Sequence, residues 1–228
     1  MTDLAVHRFS GRDGVELAYR ELGEGRPLVL LHGFTADGSQ WIHPGPALTL
    51  AGQGYRVILP DLRGHGDSAR PHDPACYPPD VMADDGLALI ESLSLDDYDL
   101  GGYSWGARTA LRMLVRGARP ARVIAGGQGL DVVTQAGNPR GRYRRVLTAM
   151  ADGETLEPGS PEAGQAAWIT RLGGDPEALL HVLGTHVPTP RAAALPNARF
   201  TRVPGDHFTA FTSPEFAAAI TAFLGPAS

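Results

Sequence analysis

The feature that most constrains the fold of this chain is a pair of continuous apolar runs, each followed at once by a loop that contains glycine. The runs are residues 27–31 (PLVLL) and 55–59 (YRVIL), and the loops after them read HGF and DLRGHGDS. Short apolar runs of this kind are typical of strands buried on both faces, which occur mainly in parallel sheets covered by helices. The pattern therefore predicts an α/β fold.

The rest of the chain extends this alternation of strands and helices. A GRDG turn at residues 11–14 predicts an antiparallel hairpin at the start of the chain. Further along, Asp80 is available as the N-cap of the first long helix. Together these elements predict one mostly parallel sheet with helices on both faces. Strands are predicted at 5–9, 15–21, 27–31, 55–59, 98–102, 122–126 and 199–204, and helices at 80–93, 107–117 and 214–224.

The segment from residue 131 to residue 195 has a different pattern. It consists of helical pieces at 141–151, 161–172 and 175–183, separated by glycine and proline. We interpret it as a small helical lid inserted into the core. The predicted division is therefore a core of residues 1–130 and 196–228, with a lid at 131–195.

Composition excludes several classes of protein. A single cysteine cannot form an internal disulfide, and no apolar stretch approaches the roughly 20 residues that span a bilayer, so we expect a soluble, cytoplasmic protein without a membrane partner. The 20 basic residues are scattered and balanced by 25 acidic ones, which argues against nucleic acid as a partner. No Cys/His cluster has metal-ligand spacing, so neither a metal nor another cofactor is predicted, and no oligomer is indicated.

The strongest chemical signal is the pentapeptide Gly102-Tyr103-Ser104-Trp105-Gly106, between a predicted strand and a predicted helix. A tight strand-to-helix turn of this kind raises a serine hydroxyl out of the backbone and leaves no room for side chains at the glycines. Backbone N–H groups at the start of the helix can stabilise a negative charge beside it. Ser104 is therefore the predicted nucleophile.

This pentapeptide resembles the nucleophile elbow of the α/β-hydrolase superfamily, and three other segments match the superfamily in the same order. His32-Gly33-Phe34 resembles its oxyanion loop, residues 61–68 resemble its D-x-R-G-x-G-x-S loop, and residues 205–208 (GDHF) resemble the loop that carries its histidine. The resemblance implies His207 as general base, N–H groups of Phe34 and Trp105 as oxyanion donors, and scaffolding roles for His32 and His65.

The acid of the triad is the point at which the sequence departs from the superfamily. The usual G-x-x-D segment, on a strand before the histidine strand, is absent, so the sheet is expected to be one strand shorter than usual there. Asp131 is the best substitute because some members place the acid after the earlier strand and the order Ser104, Asp131, His207 is kept. The alternatives are an aspartate that caps a helix at the lid, and a site without an effective acid.

The resulting hypothesis is a serine hydrolase that cleaves a small apolar ester, lactone or related acyl compound through an acyl-enzyme on Ser104. The alternatives are a ligand-binding or catalytically impaired relative, and a cofactor-free C–C hydrolase or lyase, because the fold alone does not separate these activities. Candidate substrate-binding residues are His32, Trp41, Tyr103 and Trp168, although aromatic side chains at such positions also serve as plain packing.

Overall fold

A computed structural model describes residues 4–127, 139–185, 187–188 and 195–227. Among these residues, six strands form one sheet in the order β1-β2-β4-β3-β5-β6. The four strands from β4 to β6 pair in parallel, and β1 and β2 pair antiparallel at one edge. The strands are β1 His7–Ser10, β2 Glu16–Leu22, β3 Arg26–Leu31, β4 Tyr55–Asp61, β5 Asp99–Tyr103 and β6 Arg122–Gly126.

Seven α-helices accompany the sheet in the described part of the chain, together with short 3₁₀ turns at Gly38–Trp41 and Pro74–Cys76. No helix of the described ranges is long and apolar enough to cross a membrane. The helices are α1 Ala47–Gly52, α2 Val81–Ser92, α3 Trp105–Val115, α4 Pro139–Ala151, α5 Pro161–Arg171, α6 Pro176–Gly184 and α7 Pro214–Leu224.

The position of β3 inside the sheet, between β4 and β5, explains why its sequence is continuously apolar. Successive side chains of a strand point to opposite faces of the sheet. Leu28 and Leu30 lie in the apolar cluster that contains α1 and α7, whereas Val29 and Leu31 lie in the cluster that contains α2 and α3. All four side chains are fully buried. Helices therefore cover both faces of the sheet, and the predicted fold class is confirmed.

Helices α4, α5 and α6 form a smaller layer with its own apolar cluster. Its buried members include Val146, Ile169 and Leu183, and the side chains of Phe34 and Trp105 pack against it from the core. Helix α6 also contributes Ala178 and Val182 to the main core, so this layer is anchored to the sheet domain on one side. The three helices lie where the sequence predicts them, and the assignment of residues 131–195 as a lid stays a prediction.

Two sequence predictions about local structure are wrong. Residues 199–204 form no strand, and six of the seven side chains from 198 to 204 are exposed, with Phe200 at 81%. A β-rich composition is not sufficient because a strand is stabilised by packing on its neighbours, and of these residues only Val203 packs against the core. Asp80 does occupy the position before α2, but its side chain makes no capping hydrogen bond and instead forms an ion pair with Arg112 of α3.

A buried ion pair fastens the loop after β4 to α2. The guanidinium of Arg63 is fully buried and donates to both carboxylate oxygens of Asp85, at 2.9 and 2.8 Å. It also donates to Asp13, in the turn between β1 and β2, and to the carbonyl oxygen of Cys76 at 2.6 Å. One cation therefore joins three loops and a helix beneath the carboxyl ends of the strands.

Substitution Asp85→Asn is expected to lower the free energy of unfolding by about 3 kcal/mol, because it leaves a buried guanidinium without its best-buried anion. Urea denaturation at neutral pH measures the change. Glu91→Gln is the matched control, since Glu91 lies on the same helix and pairs with Arg12 at the surface. It is expected to cost less than about 1 kcal/mol. Equal losses in the two variants would contradict a special role for the buried pair.

Candidate active site

Ser104 lies at the turn between β5 and α3 in a strained backbone conformation, with φ 56° and ψ −110°. Two close backbone approaches make this turn possible. A Cβ atom at Gly102 would lie 2.3 Å from the carbonyl carbon of Gly106, and a Cβ at Gly106 would lie 2.1 Å from the carbonyl oxygen of Leu31. Both positions therefore require glycine, which is the physical reason for the G-x-S-x-G spacing.

His207 reaches Ser104 from the other end of the chain. Its Nε2 atom lies 2.8 Å from the Oγ atom of Ser104, across 103 residues of sequence. Its ring is half-buried and lies in the turn that precedes α7. The distance is that of a strong hydrogen bond, so the hydroxyl can donate its proton directly to the imidazole.

Two side chains shape the turn that holds His207. The hydroxyl of Tyr103 donates to the carbonyl oxygen of His207 at 2.7 Å. The Oδ1 atom of Asp206 accepts from the backbone N–H groups of Phe208 and Thr209, each at 2.9 Å. The carboxylate of Asp206 thus binds the backbone that follows it.

The surroundings of His207 favour the neutral imidazole. Burial lowers the pKa of His207, the positive charge of Arg108 lowers it further, and the negative charge of Asp206 opposes these effects only in part. The neutral ring is the form that accepts a proton, so the site keeps His207 ready to act as a base at neutral pH.

The second ring nitrogen of His207, Nδ1, is the atom that the acid of a triad would bind. Among the described residues, no carboxylate forms a hydrogen bond with the Nδ1 atom of His207. Asp131, the acid predicted from the sequence, lies outside the described residues. Its place in a triad stays a prediction.

Two buried histidines fasten the loop at residues 32–35 to the loop after β4. The Nδ1 atom of His32 donates to the carbonyl oxygen of Gly33 at 2.8 Å, and its Nε2 accepts from the N–H of Leu62 at 2.9 Å. The Nε2 of His65 accepts from the N–H of Thr35 at 3.3 Å. Burial lowers the pKa of both rings, that of His65 to about 3. Both therefore act as neutral scaffolding side chains, as the resemblance implies.

The D-x-R-G-x-G-x-S loop likewise uses its polar groups internally. The carboxylate of Asp61 accepts from the N–H groups of Gly38 and Asp67, each at 2.8 Å. The hydroxyl of Ser68 donates to the carbonyl oxygen of Asp61 at 2.5 Å and accepts from the N–H of Ala18 at 2.9 Å. These contacts account for the motif as structure that supports the site.

The predicted oxyanion residues lie beside Ser104. A Cβ at Gly33 would lie 3.8 Å from the Cβ of Ser104, so the loop that carries Phe34 directly borders the elbow. The rings of Phe34 and Trp105 are 5.5 Å apart, and Tyr143 of α4 meets the Phe34 ring edge-on at 4.9 Å. The two side chains thus mark the boundary between the core and the helical layer, while the role of their N–H groups stays a prediction.

The predicted substrate-binding residues differ in their burial and in their contacts. His32 is fully buried and uses both ring nitrogens in hydrogen bonds, and Tyr103 is buried against His207. Trp41 is fully buried against Phe211, so its contacts are those of a packing side chain. Trp168 is 48% exposed on α5. The structure brings Tyr103 to the catalytic pair and places Trp41 within the core.

Two residues near the site have roles that the sequence pattern does not show. The sequence indicates Tyr103 only as a candidate pocket residue, because its bond to the backbone of His207 is a contact across 104 positions. Arg108, whose positive charge lowers the pKa of His207, lies four residues after Ser104, about one helical turn along α3. That spacing is the signal that could have identified it.

Comparisons with known proteins agree with this geometry. Residues 26–125 match a family model described as alpha/beta hydrolase fold. A hydrolase from Pseudomonas aeruginosa PA01 superimposes with a TM-score of 0.72 at 20% identity, covering 96% of this chain and 98% of that chain. The chain has the α/β-hydrolase fold. An esterase from Exiguobacterium antarcticum shares the superfamily fold with a TM-score of 0.60 at 21% identity, covering 79% of this chain and 73% of that one.

Curated α/β-hydrolase relatives carry several names. An epoxide hydrolase 2 from Siraitia grosvenorii is 34% identical over 119 residues, which is 52% of this chain and 36% of the relative. A non-heme chloroperoxidase, CPO-A1 from Kitasatospora aureofaciens, is 34% identical over 149 residues, which is 64% of this chain and 53% of the relative. The matched region thus spans about a third to a half of these relatives.

The lowered pKa of His207 predicts how the reactivity of Ser104 depends on pH. Labelling of Ser104 by a fluorophosphonate needs the neutral imidazole, so the labelling rate is expected to be constant at neutral pH and to reach half its maximum below pH 6.5, the ordinary pKa of histidine. Rates measured by gel fluorescence across the pH range test this. Protein returned from acid to neutral pH controls for unfolding, and a midpoint above 6.5 would contradict the prediction.

Proposed function

We propose that this protein is a serine hydrolase that cleaves a small ester, lactone or related acyl substrate through an acyl-enzyme on Ser104. The observation that carries the proposal is the 2.8 Å hydrogen bond between Nε2 of His207 and Oγ of Ser104, at a strained turn where Ser104 is half-buried. A neutral imidazole held within hydrogen-bond distance of a serine hydroxyl is the arrangement that activates the hydroxyl for attack on a carbonyl carbon.

In the first half of the reaction, His207 accepts the proton of Ser104 while Oγ bonds to the carbonyl carbon of the substrate. The carbonyl oxygen becomes an oxyanion, for which the N–H groups of Phe34 and Trp105 are the proposed donors. The protonated His207 then gives its proton to the leaving alkoxide as the carbon–oxygen bond breaks. The alcohol departs and the acyl group remains on Ser104 as an ester.

In the second half, water takes the place of the alcohol. His207 removes a proton from the water as its oxygen attacks the acyl carbon, and the same N–H groups are proposed to hold the second oxyanion. The bond to Oγ then breaks, and Ser104 recovers its proton from His207. The carboxylic acid is released and both side chains return to their starting states, so no cofactor is consumed.

The nucleophile itself favours acyl substrates over epoxides, although some relatives are named epoxide hydrolases. An oxygen of Ser104 that opened an epoxide would form an ether, which has no carbonyl carbon for water to attack. An acyl-enzyme is an ester and can be hydrolysed by the same imidazole. Of these two reactions, a serine at this position therefore supports repeated turnover with acyl substrates and not with epoxides.

A second candidate function is ligand binding with little catalysis. It is favoured by one observation, that no carboxylate of the described residues holds Nδ1 of His207. Without an acid to stabilise the imidazolium, turnover of a triad enzyme falls by about four orders of magnitude. Asp131 remains the proposed acid, and the two candidate functions differ in whether it fulfils this role.

Substitution Ser104→Ala is expected to lower kcat/KM for short p-nitrophenyl esters by more than about a thousandfold, because the attacking oxygen is removed. Initial rates measured by nitrophenolate release test this, and circular dichroism confirms the fold. Unchanged hydrolysis by the variant would reject Ser104 as the nucleophile.

Substitution Asp131→Asn is expected to lower kcat by up to about four orders of magnitude, because an amide stabilises the wrong tautomer of His207. Asp206→Asn is the matched control. Its side-chain oxygen can still accept from Phe208 and Thr209, so the turn is retained and the expected loss is small. A near-normal rate for Asp131→Asn, measured on the same esters, would remove Asp131 from the triad.

A further inference from the structure

The histidine of the catalytic pair lies in a segment that is mostly exposed to solvent. From residue 196 to residue 209, twelve of the fourteen residues are exposed, and the exceptions are Val203 and His207. This segment, all of which the structure describes, forms no strand, so no sheet hydrogen bonds fix its backbone. Ser104, by contrast, lies between β5 and α3, whose residues are mostly buried. The position of His207 relative to Ser104 therefore needs a contact that joins this segment to the core.

The hydroxyl of Tyr103 makes such a contact. It donates to the backbone carbonyl oxygen of His207 at 2.7 Å, which is the distance of a well-formed hydrogen bond. The contacts of Asp206, in contrast, are local, because its carboxylate accepts from the N–H groups of Phe208 and Thr209. They shape the turn but do not connect it to the sheet. The Tyr103 hydroxyl connects the turn to the end of β5.

The aromatic ring of Tyr103 holds its hydroxyl in this place. Tyr103 is the last residue of β5 and is 4% exposed. Its ring centroid lies 4.8 Å from that of Phe211 and 5.3 Å from that of Phe216 of α7. Burial raises the pKa of Tyr103 to about 12, so the hydroxyl keeps its proton at neutral pH and remains a donor. The contact is therefore formed by a packed side chain whose donor does not titrate in the working range of the site.

The carbonyl group that Tyr103 binds belongs to the same residue as the imidazole. Holding this carbonyl restricts the backbone from which the ring projects toward Ser104, where Nε2 and Oγ are 2.8 Å apart. Tyr103 and Ser104 are consecutive, so one strand end carries both the nucleophile and the side chain that anchors the base. Proton transfer requires the two atoms to be within hydrogen-bond reach, and a displacement of about 1 Å can cost about a hundredfold in rate.

We propose that Tyr103 is a positioning residue, which keeps the imidazole of His207 at Ser104 through the hydrogen bond to the backbone of His207. It provides the anchor that a strand before the histidine would otherwise provide, since residues 199–204 form none. This inference rests on the proposed acyl-transfer function and gives the second residue of the G-x-S-x-G pentapeptide a part in it. The hydroxyl acts through His207 and needs no contact with the substrate.

Substitution Tyr103→Phe removes the hydroxyl and keeps the buried ring. The kcat for p-nitrophenyl butyrate is expected to fall by about 10- to 100-fold, with KM changed by less than about threefold, because the change displaces the base and leaves the aromatic packing intact. Labelling of Ser104 by a fluorophosphonate should slow by a similar factor. Replacement of Tyr103 by p-aminophenylalanine restores an N–H donor at the same position and should recover most of the lost rate.

The pKa of His207, measured by NMR titration, is a readout that a general loss of stability would not change. Burial and the charge of Arg108 of α3 lower this pKa, and the charge of Asp206 in the same turn opposes them. A ring that leaves its place at Ser104 gains contact with water and moves away from Arg108. The pKa in Tyr103→Phe is therefore expected to rise toward 6.5, the ordinary value for histidine. The signal of His207 is identified as the one that His207→Gln lacks.

Tyr98→Phe is the matched control. Tyr98 is 3% exposed, and its hydroxyl accepts from the N–H of Arg119 at 3.3 Å. It lies directly before β5, at the end of the strand opposite to Ser104. This variant loses a buried tyrosine hydroxyl as Tyr103→Phe does, so a similar decrease in melting temperature is expected in both, about 2–4 °C. Its kcat and the pKa of His207 should not change.

The outcomes separate this proposal from the proposed function. If wild-type protein hydrolyses the ester through Ser104, but Tyr103→Phe retains both kcat and the pKa of His207, the role of Tyr103 is overturned and the hydrolase remains. The same conclusion follows if kcat falls while the pKa does not move and p-aminophenylalanine recovers nothing, because a packing defect has that effect. If no ester is hydrolysed and Ser104 is not labelled by a fluorophosphonate, the proposed function itself fails, and the NMR titration by itself still tests whether Tyr103 holds the ring.

Discussion

The position of Ser104 depends on the close approach of two backbone segments at the turn between β5 and α3. Gly106 lies so near the carbonyl of Leu31 that a single added carbon would collide with it, and this contact lets α3 begin directly after β5. The turn holds Ser104 at a positive φ angle that few side chains adopt, with its hydroxyl toward His207. The strain is maintained because β3 and β5 are paired and fully buried on either side of it.

Buried polar contacts then determine where the other loops lie. His32 and His65 join the loop after β3 to the loop after β4, Asp61 holds the backbone of both, and Arg63 fastens the second loop to α2. A buried polar group without a partner costs free energy, so each contact restricts the loops to one arrangement. This framework keeps Phe34 beside Ser104, and Tyr143 of the helical layer packs edge-on against the Phe34 ring.

Most of the core could be predicted from the sequence because its signals are local. The apolar runs at β3 and β4, the exact bounds of β6 and α7, and the serine elbow all depend on neighbouring residues. The strand predicted at 199–204 fails for a different reason. Its composition suits a strand, but a strand also needs a partner and a face to bury, and Phe200 remains 81% exposed. The capping role predicted for Asp80 fails for a comparable reason. Its carboxylate pairs with Arg112 of α3 instead of capping α2.

The sequence by itself determined the fold class and the glycines around Ser104, because a strained turn restricts which residues can occupy it, and it predicted Ser104 and His207 as the reacting pair. Only the tertiary structure decided that Tyr103 supports the backbone of His207 and that Arg108 brings a positive charge to the same place, and it gave the 2.8 Å contact between His207 and Ser104. Those relations join residues up to 104 positions apart, and their distances depend on how the sheet packs rather than on any pattern along the chain.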